Sequence, residues 1–154
     1  MLVPPNNFGM VEEDLYRSGA PDSINLSFLT QLKLRSLIYL APEEPAPHLL
    51  TWCRQHSVAL YHLGHLHNTS TWEPITEEVV LQALNLLVQP STYPAIVMCN
   101  QGRHRTGTVI GTFRKLQGWA LSSILEEYRR YAGSKIRLMN EQFIELFDID
   151  LVFE

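Results

Sequence analysis

No stretch of this chain constrains its fold as tightly as PAIVMCNQGRHRTGTVIGTF, from Pro94 to Phe113. Ala95 to Met98 is a short apolar run with two β-branched side chains, the pattern of a central strand, and it ends on Cys99. A polar loop with one glycine, Gly102, follows. From Thr106 to Gln117 the large residues Val109, Ile110 and Phe113 recur with the period of a buried helix, and Gly107 and Gly111 leave room for a neighbour to come close. Strand, short loop and helix in immediate succession predict an α/β domain, a sheet flanked by helices.

The remaining pattern alternates in the same way. DLYRSG, SLIYLA and VALYHL read as strands, and a helix runs from Asn25 as N-cap through LSFLTQL. PAPHLLTWCRQH reads as a helix with Leu49, Leu50, Trp52 and Cys53 inward. In TEEVVLQALNLLV the apolar positions 79, 80, 83, 84 and 87 follow a helical period from near Thr76, with Glu77 and Glu78 where the N-terminal dipole favours acids and Pro90 as the stop. Two more helices are expected: SSILEEYRRYAG, with a capping-box pattern at Ser123 and Glu126, and NEQFIELFDID from Asn140. GHLHNTSTWEP has loop composition. There is no repeat or long linker, and 154 residues suffice for a single domain, 1–154, that buries about two-thirds of its unfolded surface.

Charge is where composition becomes informative. The net charge of −4 argues against nucleic acid as a partner, yet eight of the 12 Lys and Arg residues lie between Arg103 and Arg137 against only Glu126 and Glu127. A compact anionic ligand suits such a patch. No apolar window reaches the ~20 residues of a membrane helix, and MLVPPNNFGM lacks the basic flank and apolar centre of a signal peptide. Cys53 and Cys99 make neither a disulfide framework nor a metal cluster, so a soluble protein of a reducing, cytoplasmic compartment is expected, without a cofactor, metal or membrane partner.

A loop that leads from a strand into a helix N-terminus gathers unpaired backbone N–H groups at the positive end of the helix dipole, which is an anion site. Arg105, separated from Cys99 by five residues in the spacing C-x5-R, adds a two-pronged cation for two phosphate oxygens. The same field favours the Cys99 thiolate, a nucleophile able to attack phosphorus in line and form a phosphocysteine that water then hydrolyses. Thr106 is placed to cap the helix or to hydrogen-bond the thiol. Arg103 and His104 are solvated loop residues or substrate contacts, whereas Cys53, which lacks an electropositive setting, reads as packing. C-x5-R alone is a weak signal; the strand before it and helix after it give it weight. An accessible thiolate of this kind is also a target for peroxide.

CNQGRHRTG resembles the signature loop of the cysteine-dependent tyrosine and dual-specificity phosphatases. NNFGMVEEDLYRSGAPDSINLSFLTQLKLRSLIYLAPEEP, GRHRTGTVIGTFRKLQGW and EEYRRYAGSK are similar to the plant and fungal atypical dual-specificity phosphatases, above all the fungal oxidant-induced cell-cycle arrest proteins, from about Leu2 to Asp150. The resemblance implies a compact fold with a central, mostly parallel sheet of four or five strands flanked by helices. It implies a cytoplasmic phosphatase linked to oxidative-stress tolerance, acting on phosphotyrosine or inositol pyrophosphate, with related phosphatase-like proteins as partners in a hetero-complex. By position Cys99 matches the nucleophile and Arg105 the phosphate-binding arginine. Asn100, Gln101, Gly102, Arg103 and His104 match the loop that holds the phosphoryl group, and Lys135 and Arg137 a basic segment for further phosphates. Most of the superfamily has histidine before the cysteine; this chain has Met98.

A proton donor for the leaving oxygen is expected on a loop some tens of residues before the signature. Glu73, between Trp72 and Pro74, fits, as does a solvated carboxylate; His65 and His67 on the same loop are competing donors or substrate contacts. Two functions therefore stand: a metal-independent phosphatase, favoured by Cys99, Arg105 and Thr106, and a catalytically weak relative that binds phosphorylated ligands or partner subunits, favoured by Met98. Sulfur transfer or arsenate reduction fits poorly, because Cys53 has no evident path to Cys99.

Overall fold

A computed structural model describes residues 1–64 and 74–153. Among these residues five strands form one sheet in the order β1 (Gly9–Glu12), β2 (Leu15–Gly19), β5 (Ala95–Cys99), β3 (Ser36–Tyr39), β4 (Ala59–His62). β1 pairs antiparallel with β2 at the edge, and every other pairing is parallel. Among the described residues, six α-helices cover the sheet: α1 (Leu26–Gln31), α2 (Pro47–Gln55), α3 (Glu77–Leu87), α4 (Arg105–Leu116), α5 (Leu121–Ala132) and α6 (Leu138–Leu146). This is the mostly parallel, helix-flanked sheet expected from the resemblance.

Side chains of a strand alternate between faces, and β5 distributes its residues over two cores. Ala95, Val97 and Cys99 join Leu15 and Ile38 in a cluster closed by α3 and α4, including Val80, Leu84, Val109 and Ile110. Ile96 and Met98 point the other way, to Leu29, Leu49 and Trp52 of α1 and α2. Met98, which is fully buried, thus projects from the opposite face to Cys99. Of the expected inward residues of α2, Leu49, Trp52 and Cys53 are buried and Leu50 is only half so. Burial pushes the Cys53 thiol up to about 11, which agrees with a packing role.

Gly107 and Gly111 give α4 its close neighbours: a Cβ on Gly107 would meet Tyr128 of α5 at 2.8 Å, and one on Gly111 would meet Ile144 of α6 at 2.6 Å. Among the described residues no helix is long and apolar enough to cross a membrane.

Several expected boundaries move. The antiparallel edge strand β1 was not expected. α3 is capped by Thr76, whose hydroxyl accepts from the Val79 N–H, but it ends at Leu87 before Pro90 is reached. The Asn25 side chain does not cap α1; it holds the carbonyls of Val3 and Pro4 instead. Ser123 is inside α5, which starts after Ala120, so its capping box does not form. α6 starts after Arg137, and Asn140 is buried within it.

Candidate active site

Cys99 stands at the carboxyl end of the central strand, and the loop 100–104 carries the chain directly into α4. Three donors hold the loop from outside. The Ala20 N–H donates to the Asn100 carbonyl at 3.2 Å, and Asn7 Nδ2 to the carbonyls of Gln101 and Gly102 at 3.3 and 3.1 Å. Arg17 Nη2 also donates to the Gly102 carbonyl, at 3.3 Å. In a trans peptide the N–H points opposite to the C=O, so carbonyls tied outward turn the N–H groups of Gln101, Gly102 and Arg103 toward the cavity over Cys99. Gly102 makes the turn with φ of 71°, a region open to glycine at little cost.

That cavity, of about 490 Å3, is lined by Cys99, the loop residues Asn100, Gln101, Arg103 and His104, Arg105, and Lys135 and Arg137 from the connection between α5 and α6. Ala41, Pro42 and Glu43, which follow β3, complete it. The structure therefore brings together Cys99, Arg103, His104, Arg105, Lys135 and Arg137. Thr106 Oγ1 donates to Cys99 Sγ at 3.1 Å, so the hydroxyl serves the thiol. Arg105 is buried, and its Nη1 donates to the Leu40 carbonyl at 3.3 Å, fixing the guanidinium beside the cavity. Glu73, His65 and His67 lie outside the described residues.

His104 contributes a hydrogen-bonding group rather than a charge. Burial, with Arg137 and Arg103 nearby, pushes its imidazole down to about 4. The Tyr128 hydroxyl oxygen accepts from the Arg137 N–H at 3.2 Å and from Asn140 Nδ2 at 3.0 Å, and its own proton faces His104 Nδ1 at 3.4 Å. Nδ1 is then an acceptor, and the ring proton sits on Nε2.

Sequence reasoning passed over Asn7, Arg17, Glu43, Tyr128 and Asn140. Glu43 is the only carboxylate among the described residues of the lining, and its Oε2 accepts from Asn100 Nδ2 at 3.2 Å. A signal for it existed, since PEEP follows an apolar run, but which strand lies beside β5 is not written in local pattern. Among the described residues no three His, Cys, Asp or Glu side chains gather as a metal site.

A strand-end thiol under an arginine, a ring of N–H groups and three further cations can bind a phosphoryl group and attack it. Comparison with known proteins agrees. The model of the tyrosine phosphatase family matches residues 2–154. OCA1 of Mycosarcoma maydis is 66% identical over 154 residues, covering 99% of this chain and 98% of that protein. The inositol diphosphatase DSP3 of Arabidopsis thaliana is 45% identical over 149 residues, covering 97% of this chain and 73% of its own. Among solved structures, the core catalytic domain of the PP-IP phosphatase SIW14 from S. cerevisiae, in complex with citrate, superposes with a TM-score of 0.91 at 39% identity, covering 99% of this chain and 92% of that one.

Proposed function

The chain belongs to the tyrosine phosphatase family, and from that premise we propose that it is a metal-independent phosphatase that removes phosphate from an inositol pyrophosphate through a phosphocysteine on Cys99. The observation that carries the substrate class is the lining of the cavity. Arg103, Arg105, Lys135 and Arg137 line the cavity with Cys99, and no Phe, Tyr or Trp ring is among the described lining residues. A phosphotyrosine ring is best held by an aromatic wall, whereas several phosphates on a small ring ask for several cations. The names of DSP3 and SIW14 describe those proteins, and they support the same class here.

In the proposed reaction the Cys99 thiolate attacks phosphorus as the bond to the leaving oxygen breaks. The N–H groups of the loop and Arg105 hold the equatorial oxygens, Thr106 steadies the sulfur as it leaves again, and His104 donates from Nε2. Water then attacks the phosphocysteine, releasing phosphate and the thiolate. Glu73 protonates the leaving oxygen and later takes the proton of that water; His65 and His67 contact the substrate. The whole chain acts as one phosphatase domain. Two free cysteines support a cytoplasmic setting, and the resemblance to the oxidant-induced cell-cycle arrest proteins supports a part in stress tolerance and a hetero-complex with related chains.

Phosphate release from an inositol pyrophosphate and from a phosphotyrosine peptide, both in EDTA, tests the reading. Faster release from the inositol compound is expected; no release from either by a folded protein would leave a phospho-ligand binding module. Removing both Lys135 and Arg137 as alanine is expected to raise KM for the inositol compound about tenfold, the worth of 1.4 kcal/mol, and to change the peptide's far less. Equal effects on both would refute their role in holding extra phosphates.

The proton donor has its own measurement. Glu73→Gln is expected to slow hydrolysis of the peptide about 100-fold and of an activated aryl phosphate little, since a good leaving group needs no proton. The same signature in Glu43→Gln, with Glu73→Gln silent, would transfer the role to Glu43.

A further inference from the structure

Arg17, on β2, is the largest fully buried side chain among the described residues, at 1% exposure, and it makes no ion pair with a carboxylate among them. Its guanidinium carbon sits 3.7 Å from the centre of the Tyr131 ring, Nη2 reaches the Gly102 carbonyl at 3.3 Å, and Nε has no hydrogen-bond partner. A cation in that position is expensive to bury unless a counter-charge answers it. The nearest carboxylate does not serve, because both oxygens of Glu127 are taken by Arg114, Nε to Oε1 at 3.2 Å and Nη2 to Oε2 at 3.1 Å.

The groups facing Arg17 are few. Tyr131 and Glu127 come from α5, Arg114 from α4 and Cys99 from β5. Burial pulls the guanidinium down to about 10, while Tyr131, Glu127 and Cys99 act in the opposite direction. Of these, Tyr131 offers the face of its ring and Glu127 is already engaged by Arg114, while Cys99 ends the neighbouring strand on the same face of the sheet as Arg17. Around Cys99 itself stand Tyr39 from β3, Arg105 and Thr106 from α4, and Arg103 and His104 from the loop. Arg17 reaches the loop from the β2 side, through the protein, where screening by water and salt is least.

We propose that Arg17 is a positioning residue for phosphoryl transfer: it pins the Gly102 turn through its carbonyl, and its buried charge is balanced by the Cys99 thiolate and the phosphoryl group above it. The proposal rests on the phosphatase reading. It also accounts for a loop that works with Met98 before the cysteine. Met98 points into the apolar core on the far face of the sheet, so the cation behind the loop is supplied from the neighbouring strand, two positions before the Gly19 that pairs with Cys99.

The test compares Arg17→Met, which removes the charge and keeps the volume, with Arg17→Lys, which keeps the charge and loses the fork. Alkylation of Cys99 by iodoacetamide, followed by mass spectrometry across pH, is expected to be about tenfold slower at neutral pH in Arg17→Met and to need a higher pH for half its maximal rate. Arg17→Lys should recover that pH profile but not kcat, because an ammonium cannot both cover Tyr131 and hold Gly102. Should Arg17→Met fail to fold, the Arg17 Nε–H signal in 15N NMR of the unaltered chain decides instead. It should shift over the pH range in which alkylation rises and stay constant in Cys99→Ser. A pH profile of Arg17→Met identical to wild type, or an Nε–H signal indifferent to Cys99, overturns the proposal. Neither measurement needs turnover, so absence of phosphate release by wild type would sink the phosphatase reading separately.

Discussion

Cys99→Ser is expected to lose phosphate release by about 10⁴-fold or more while folding normally and still binding phosphate. The substitution changes one atom. The hydroxyl fits where the thiol stood, and Thr106 Oγ1 still has an acceptor at the end of β5. What disappears is the ionised nucleophile, because a serine hydroxyl is not deprotonated near neutral pH by an arginine and a few N–H groups. The anion cradle itself survives, since Arg105 is held by the Leu40 carbonyl and the loop by Ala20, Asn7 and Arg17. Phosphate should therefore still raise the melting temperature of the mutant in a concentration-dependent way, as any ligand of the native state does. Substantial release by Cys99→Ser in EDTA would mean that another group attacks.

Gly102→Ala is the second large effect, and it acts through shape. With φ of 71°, the position is strained for any residue with a Cβ. An added Cβ would lie 2.6 Å from the Gly19 nitrogen and the Ser18 carbonyl carbon and 2.8 Å from the Ser18 oxygen, all backbone atoms of β2 that cannot swing aside. The loop must lift from β2, which breaks the outward ties of its carbonyls and turns the N–H groups away from the phosphoryl position. A loss of about 3 kcal/mol is expected from the strain and the clash together, or about 10 °C in Tm for a chain of this size. Activity should fall about 10²- to 10³-fold, as when donors to a transition-state oxygen are removed. Gly118→Ala is the control. It has φ of 82° with nothing within 4 Å of the added carbon, so it should cost about 1 kcal/mol and leave activity alone. If Gly102→Ala behaved like Gly118→Ala in both melting and turnover, the close approach to β2 would not matter.

How much of this was legible in the sequence depended on distance along the chain. The strand, loop and helix from Ala95 to Leu116 could be read because every signal is local: an apolar run, a glycine, a helical period. The helix starts at Ser123 and Asn140 were misplaced because tertiary partners overrode local capping. Trp119, just before α5, is stacked on Arg114 at 4.0 Å, and Asn140 spends its amide on Tyr128 and His104. β1 has only Val11 buried in four residues, too little alternation to announce a strand. Glu43, Arg17 and Asn7 reach the site only because β3 and β2 flank β5, and strand order leaves no mark in any single window. Cys99, Arg105 and Thr106 carried their meaning within eight residues; their supports lie as many as 95 residues away.

The outward ties of the loop also set when the protein can first act. Asn6, whose carbonyl accepts from the Gly19 N–H, and Asn7 leave the ribosome some 94 residues before Gln101. At about 5 to 20 residues per second they wait on the order of 5 to 20 s for the segment they will brace. Asn7 further bonds the Tyr131 carbonyl, so the last tie cannot form until α5 has been made. Cys99 and Arg105 emerge before α5, but until Asn7 can bond the Tyr131 carbonyl their loop lacks its last outer brace. Catalytic competence thus waits for α5, which lets Asn7 close its last tie at the Tyr131 carbonyl.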